Sequence, residues 1–158
     1  MPNIKNWPLF IFAIFLSEGV GILGSLFTVS SIPTWYANLT KPPFSPPNYV
    51  FGPVWTTLYA LMGISLYLVW ISRIKSKQYA VKLFFVQLAL NAVWSIIFFG
   101  LKRPGLAFIE IIALWVAIIL TIKAFQKISK TASYLLYPYL AWVSFASILN
   151  FAIWILNR

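Results

Sequence analysis

The sequence predicts an all-α, integral membrane five-transmembrane-helix bundle. Hydrophobic residues make up 61% of the chain and charged residues only 9%, where a soluble domain carries about a quarter charged. That is too little charge to cover a water-facing surface. Five stretches are apolar over roughly 20 residues, the length that crosses about 30 Å of hydrocarbon. The runs are continuous rather than alternating and too long for barrel strands, whereas helices satisfy their own backbone groups in lipid. The length of 158 residues fits a single membrane domain, residues 1–158.

The first span covers about residues 8–29, with Glu18 its only charge. Lys5 before an apolar run resembles a signal peptide. The run is longer than a typical leader core and lacks a clear small-residue cleavage site, so it is read as a retained span. The second span, about 50–71, is uncharged, and Pro53 sits near its start, where a missing N–H costs little. The third, 83–101, is uncharged, and the fourth, 105–122, carries Glu110. The fifth, 134–157, contains Pro138, expected to bend it or free a carbonyl. With five spans, Lys5, Arg73, Lys75, Lys77, Lys82, Lys123, Lys127 and Lys130 fall on one side and Lys41, Lys102, Arg103 and Arg158 on the other. This asymmetry predicts the N-terminus inside. The net charge of +10 then reads as topology signal and headgroup contact. Cations on both faces argue against nucleic acid. No internal repeat is visible, which weakens a transporter of the inverted-repeat type.

The chain has no Cys, no His and no Asp. Thiolate nucleophiles, imidazole bases, serine triads and the usual zinc sites are excluded, and no metal ligands are assigned. Glu18 and Glu110 are the only acids. An intramembrane carboxyl is a functional candidate by default. Glu110 lies towards the end where Lys102 and Arg103 emerge and is expected to be solvated or paired there. Glu18 is deeper and is the better candidate, either as a helix-to-helix hydrogen-bond donor or as a proton-coupled transport carboxylate.

Residues 30–49 form a connection longer than ordered loops usually reach. Pro33, Pro42, Pro43, Pro46 and Pro47 make it stiff, and Trp35, Tyr36 and Phe44 need a surface to pack on. Two readings stand: a lid over the bundle mouth, or an interfacial aromatic anchor. Helical spacing puts Gln87, Asn91 and Ser95 on one stripe of the third span, flanked by Trp94 and Phe98. Trp142, Ala146 and Asn150 form a stripe on the fifth, with Leu149 beside it, and Trp55, Tyr59 and Met62 share a face of the second. Ser17, Gly21 and Ser25 form a small-residue stripe on the first span, expected to allow close helix approach. Amides in hydrocarbon are costly unless hydrogen-bonded, so Asn91 and Asn150 are expected to face inward. They either bond helix to helix or point into a cavity walled by indoles.

The segment WYANLTKPPFSPPNYVFGPVWTTLYALMGISLYLV (35–69), with QLALNAVWSIIFFG (87–100) and LLYPYLAWVSFASILN (135–150), resembles the TspO/MBR family. Its members are tryptophan-rich sensory proteins in bacteria and translocator proteins, or peripheral benzodiazepine receptors, in mitochondria. The resemblance covers nearly the whole chain, is closest in kind to bacterial members, and implies an integral protein of a bacterial cell membrane. It implies a receptor, often homodimeric, that binds porphyrins such as protoporphyrin IX and haem, and isoquinoline or benzodiazepine drugs, under the first loop. Carried over by motif, the pocket comprises Trp35, Tyr36, Pro46, Trp55, Tyr59, Asn91, Trp94, Ser95, Trp142, Ala146, Leu149 and Asn150. Porphyrin enters as ligand, and no further cofactor is required. The resemblance also implies light- and oxygen-dependent porphyrin degradation, for which Trp35 and Trp142 match the tryptophans involved. Phe151 and Ile155 stand where mitochondrial members carry the Tyr and Arg of a cholesterol motif, which argues against cholesterol as a partner. Ser45 stands where those members have His, which argues against iron ligation from the loop.

Overall fold

A computed structural model describes residues 6–158. Lys5, part of the orientation argument, lies outside the described residues. Helix α1 (Trp7–Ser31) starts at Asn6, whose side-chain oxygen accepts from the Leu9 N–H at 3.1 Å, satisfying one of the donors that a helix start leaves free. A short 3₁₀ turn, Tyr36–Asn38, lies in the connection to α2 (Asn48–Trp70). Helix α3 (Lys77–Ser95) runs into a π-helical turn at Ile96–Gly100. Helices α4 (Pro104–Gln126), α5 (Lys130–Tyr134) and α6 (Tyr137–Leu156) follow. Five segments are long and apolar enough to cross a membrane, α5 and α6 counting together as the last.

Pro53 departs from expectation, whereas Pro138 stands beside the expected irregularity of the fifth span. Pro53 lies inside α2, at its sixth residue rather than in its first turn, so the bond its N–H would have given to the Tyr49 carbonyl is absent. Pro138 lies in the first turn of α6, where the missing N–H is tolerated. The break falls just before it, at Leu135 and Leu136, and separates α5 from α6. The π turn was not foreseen either. The Leu101 N–H reaches back five residues to the Ile96 carbonyl at 2.8 Å. Lys102 then takes a left-handed backbone conformation, φ 56°, which ends the helix and turns the chain into α4.

Helix α1 packs on α2 and α3, and α4 packs on α3 and α6. Met62, Leu66, Phe84, Ile118, Phe125 and Tyr139 are fully buried between them, and Phe84 and Phe125 stack at 5.8 Å. On the side away from the 30–49 loop, the Lys77 ammonium donates to the Trp70 and Ser72 carbonyls at 2.6 and 2.7 Å, neutralising the negative end of α2. The Ser65 hydroxyl donates to the Ala132 carbonyl at 2.7 Å and ties α2 to α5. Helices α1 and α2 approach closely at Gly63, where a Cβ would lie 2.6 Å from the Ile14 Cα and 2.8 Å from the Ala13 carbonyl oxygen. The small-residue stripe of α1 has a different use. Gly21 makes room for the Tyr59 ring, Ser25 bonds its own helix at the Ile22 carbonyl, and Ser17 is buried without a hydrogen-bond partner.

Candidate functional site

Helices α1, α2, α3 and α6, with the π turn and Tyr36 of the 30–49 loop, line a cavity of about 490 Å³. Its walls are apolar and aromatic because each helix contributes the face that sequence spacing singled out. Trp55 and Tyr59 come from α2, Trp94 and Ser95 from α3, and Trp142, Ala146, Leu149 and Asn150 from α6; Tyr36 comes from the loop. Trp55 stacks on Tyr59 at 5.5 Å, and Trp94 stacks on Phe98 at 5.1 Å. The Phe51 ring meets the Trp142 indole edge-on at 6.0 Å. These contacts hold the ring planes in place without filling the space between them.

Two amides fix the walls. The Trp94 indole N–H donates to the Asn150 side-chain oxygen at 3.0 Å, and the Asn150 amide donates to the Pro104 carbonyl at 2.7 Å. Asn150 therefore lines the cavity with its polar atoms engaged. Asn91 lies deeper. Its oxygen accepts from the Tyr59 hydroxyl and its amide donates to the Tyr139 hydroxyl at 3.0 Å. It is buried and does not line the cavity; it fixes Tyr59, which does.

The loop is folded onto the bundle. The Thr40 N–H donates to the Asn157 side-chain oxygen and the Asn157 amide donates to the Thr40 carbonyl, both at 2.9 Å. The Ser31 hydroxyl bonds the Phe99 carbonyl of the π turn at 2.9 Å. Tyr36 is buried against Phe98 and Phe99, and burial pushes its hydroxyl above the usual phenol range. Phe44 and Tyr49 remain exposed. Trp35 and Pro46 do not line the cavity. Trp35 is half-buried with its ring edge-on to Phe98 at 5.6 Å, and Pro46 is half-buried in the loop. Of the two tryptophans matched to porphyrin breakdown, only Trp142 faces the space.

The cavity is open on the side between α1 and α2, where the lining residues Ile22, Gly52 and Thr56 are exposed. Glu18 lies at its inner end. Glu110 does not line it, and the expectation of a solvated or paired group there fails: both carboxylate oxygens are buried without a hydrogen-bond partner. Among the described residues, no cluster of His, Cys, Asp or Glu could hold a metal. Sequence reasoning missed Asn157, Tyr139, Phe51 and the π turn. Only Asn157 carried a signal, a polar side chain at the end of an apolar run.

The fold and the cavity together define a class: an integral, multi-pass membrane protein with an aromatic-walled chamber beneath a proline-rich loop. The model of the TspO/MBR family matches residues 13–155. The chain is 52% identical over 138 residues to the tryptophan-rich protein TspO of Archaeoglobus fulgidus, covering 87% of this chain and 90% of that protein. It is 42% identical over 135 residues to the translocator protein of Homo sapiens, covering 84% and 80% respectively. It is 34% identical over 152 residues to the tryptophan-rich sensory protein of Cereibacter sphaeroides, covering 96% and 93%. The chain belongs to the TspO/MBR family.

Proposed function

We propose that this protein is a membrane receptor for flat aromatic ligands, porphyrins such as protoporphyrin IX and haem-like tetrapyrroles first, with isoquinoline and benzodiazepine drugs sharing the site. It acts as a homodimer with its N-terminus inside. One observation carries the reading: three indoles, from Trp55, Trp94 and Trp142, turn inward onto one cavity rather than outward to the membrane interface. Indoles normally gather at the interface, so holding three at cavity depth is a commitment to a ligand face. The volume of about 490 Å³ lies within the range of about 300–1,000 Å³ typical of small-molecule sites. With no His in the chain, the imidazole ligation common for haem iron is not on offer, and the aromatic walls hold a tetrapyrrole by its ring faces and edges.

The test is a titration of the purified protein in lipid nanodiscs with protoporphyrin IX. Tryptophan emission should fall saturably, and an isoquinoline carboxamide should restore it by competition. Emission that stays constant up to the solubility limit of the porphyrin overturns the reading.

A further inference from the structure

We infer that Glu18 selects the guests of this cavity by charge: it favours ligands that bring a cationic or N–H-donating edge to the inner end, and forces carboxylate-bearing ligands to keep their carboxylates at the mouth. The inference rests on the receptor reading above and adds the polarity of the site.

Four observations support it. Glu18 is the only charged side chain among the cavity's lining residues. It marks the inner limit of the lining on α1, which extends to Ile32, a distance of roughly 20 Å at about 1.5 Å per residue. Among the described residues, no donor bonds its carboxylate. The nearby Tyr59 hydroxyl is spent on Asn91, and the Asn91 amide is spent on Tyr139. At the opposite end the lining carries no acid: Tyr36 stands there, and outside the lining the Lys41 ammonium sits 4.7 Å from the centre of the Tyr36 ring and bonds the Ala37 and Leu39 carbonyls.

The consequence follows from electrostatics. Among apolar walls a charge is weakly screened, and an unpaired carboxylate is costly unless something donates to it. A guest with an ammonium or N–H edge supplies that donor. A guest carboxylate placed beside Glu18 meets like charge with no cation to offset it. The same carboxylate turned to the loop end escapes that repulsion and reaches the headgroup layer.

The experiment uses one ring system in three charge states: protoporphyrin IX, its neutral dimethyl ester, and the bis-amide formed with a diamine, which is cationic. Affinities are measured by tryptophan quenching in nanodiscs of uncharged lipid. In the natural protein the cationic derivative should bind at least about tenfold more tightly than the dicarboxylate. Glu18→Gln should reduce that ratio by at least about tenfold, and Glu18→Asp should preserve it. Equal affinities in the natural protein, or an unchanged ratio in Glu18→Gln, overturn the assignment of Glu18 alone. If none of the three binds, the receptor reading falls and takes this one with it. Should Glu18→Gln fail to fold, as read by circular dichroism, the ratio in the natural protein and in Glu18→Asp still decides.

Discussion

Asn91 accepts from one phenol on α2 and donates to another on α6, so a single amide on α3 links three helices. Removing it leaves two buried hydroxyls to find new partners in a dry interior. A buried polar group left unsatisfied costs about 1–3 kcal/mol, while membrane hydrogen bonds average only about 0.6 kcal/mol because freed groups often re-pair. Tyr59 and Tyr139 have little choice, since both are buried. Asn91→Ala should therefore lower the stability of the detergent-solubilised protein by about 1–3 kcal/mol, read from denaturant midpoints. Asn91→Asp, which keeps an acceptor for Tyr59, should lose less. Much of this was legible in the sequence, because an amide at helical spacing from Gln87 and Ser95 has to face inward. Its partners were not legible: tyrosines carry no signal of which helix they will reach. That Trp35 and Pro46 stand off the cavity wall was not legible for a related reason. A loop has no period, so nothing in their order shows which side chains turn towards the cavity.

At the scale of elements, Gly63 decides how α1 meets α2. A methyl group there would press on backbone atoms of Ala13 and Ile14, which cannot swing aside as a side chain would. Gly63→Ala should force the helices apart at a cost of about 1–3 kcal/mol, the usual price of overpacking. Gly19→Ala is the matched comparison, because nothing lies within 4 Å of a Cβ at Gly19. That change should be neutral or stabilise by up to about 1 kcal/mol through helix propensity. Thermal melts of the two variants, side by side, check both expectations. The five spans were readable from hydropathy because the bilayer fixes their length. The π turn at Ile96–Gly100 was not, since five apolar residues look alike whether wound at 3.6 residues per turn or wider. Its effect is local but matters: Phe98 and Phe99 both reach the cavity lining, and the Phe99 carbonyl receives Ser31.

For the whole molecule, the distribution of cations predicts which way it sits. Arg73 and Lys75 lie between α2 and α3, Lys77 starts α3, and Lys127 and Lys130 lie between α4 and α6, whereas Lys41, Lys102 and Arg103 lie at the loop end. The denser side should be cytoplasmic. Because the chain has no cysteine, Ser76→Cys, at an exposed site, supplies a single reporter. It should react with a membrane-impermeant maleimide in inverted vesicles and stay protected in intact cells, while Thr40→Cys should show the reverse.

The missing stretch of wall between α1 and α2 has a consequence for how occupancy is measured. On the receptor reading, an oily guest should reach the chamber sideways, from solution in the acyl chains, so the concentration it is held against is its partitioned one. Apparent affinities quoted per litre of buffer should weaken as more phospholipid is added at fixed protein, and should converge on one value when expressed as mole fraction in the bilayer.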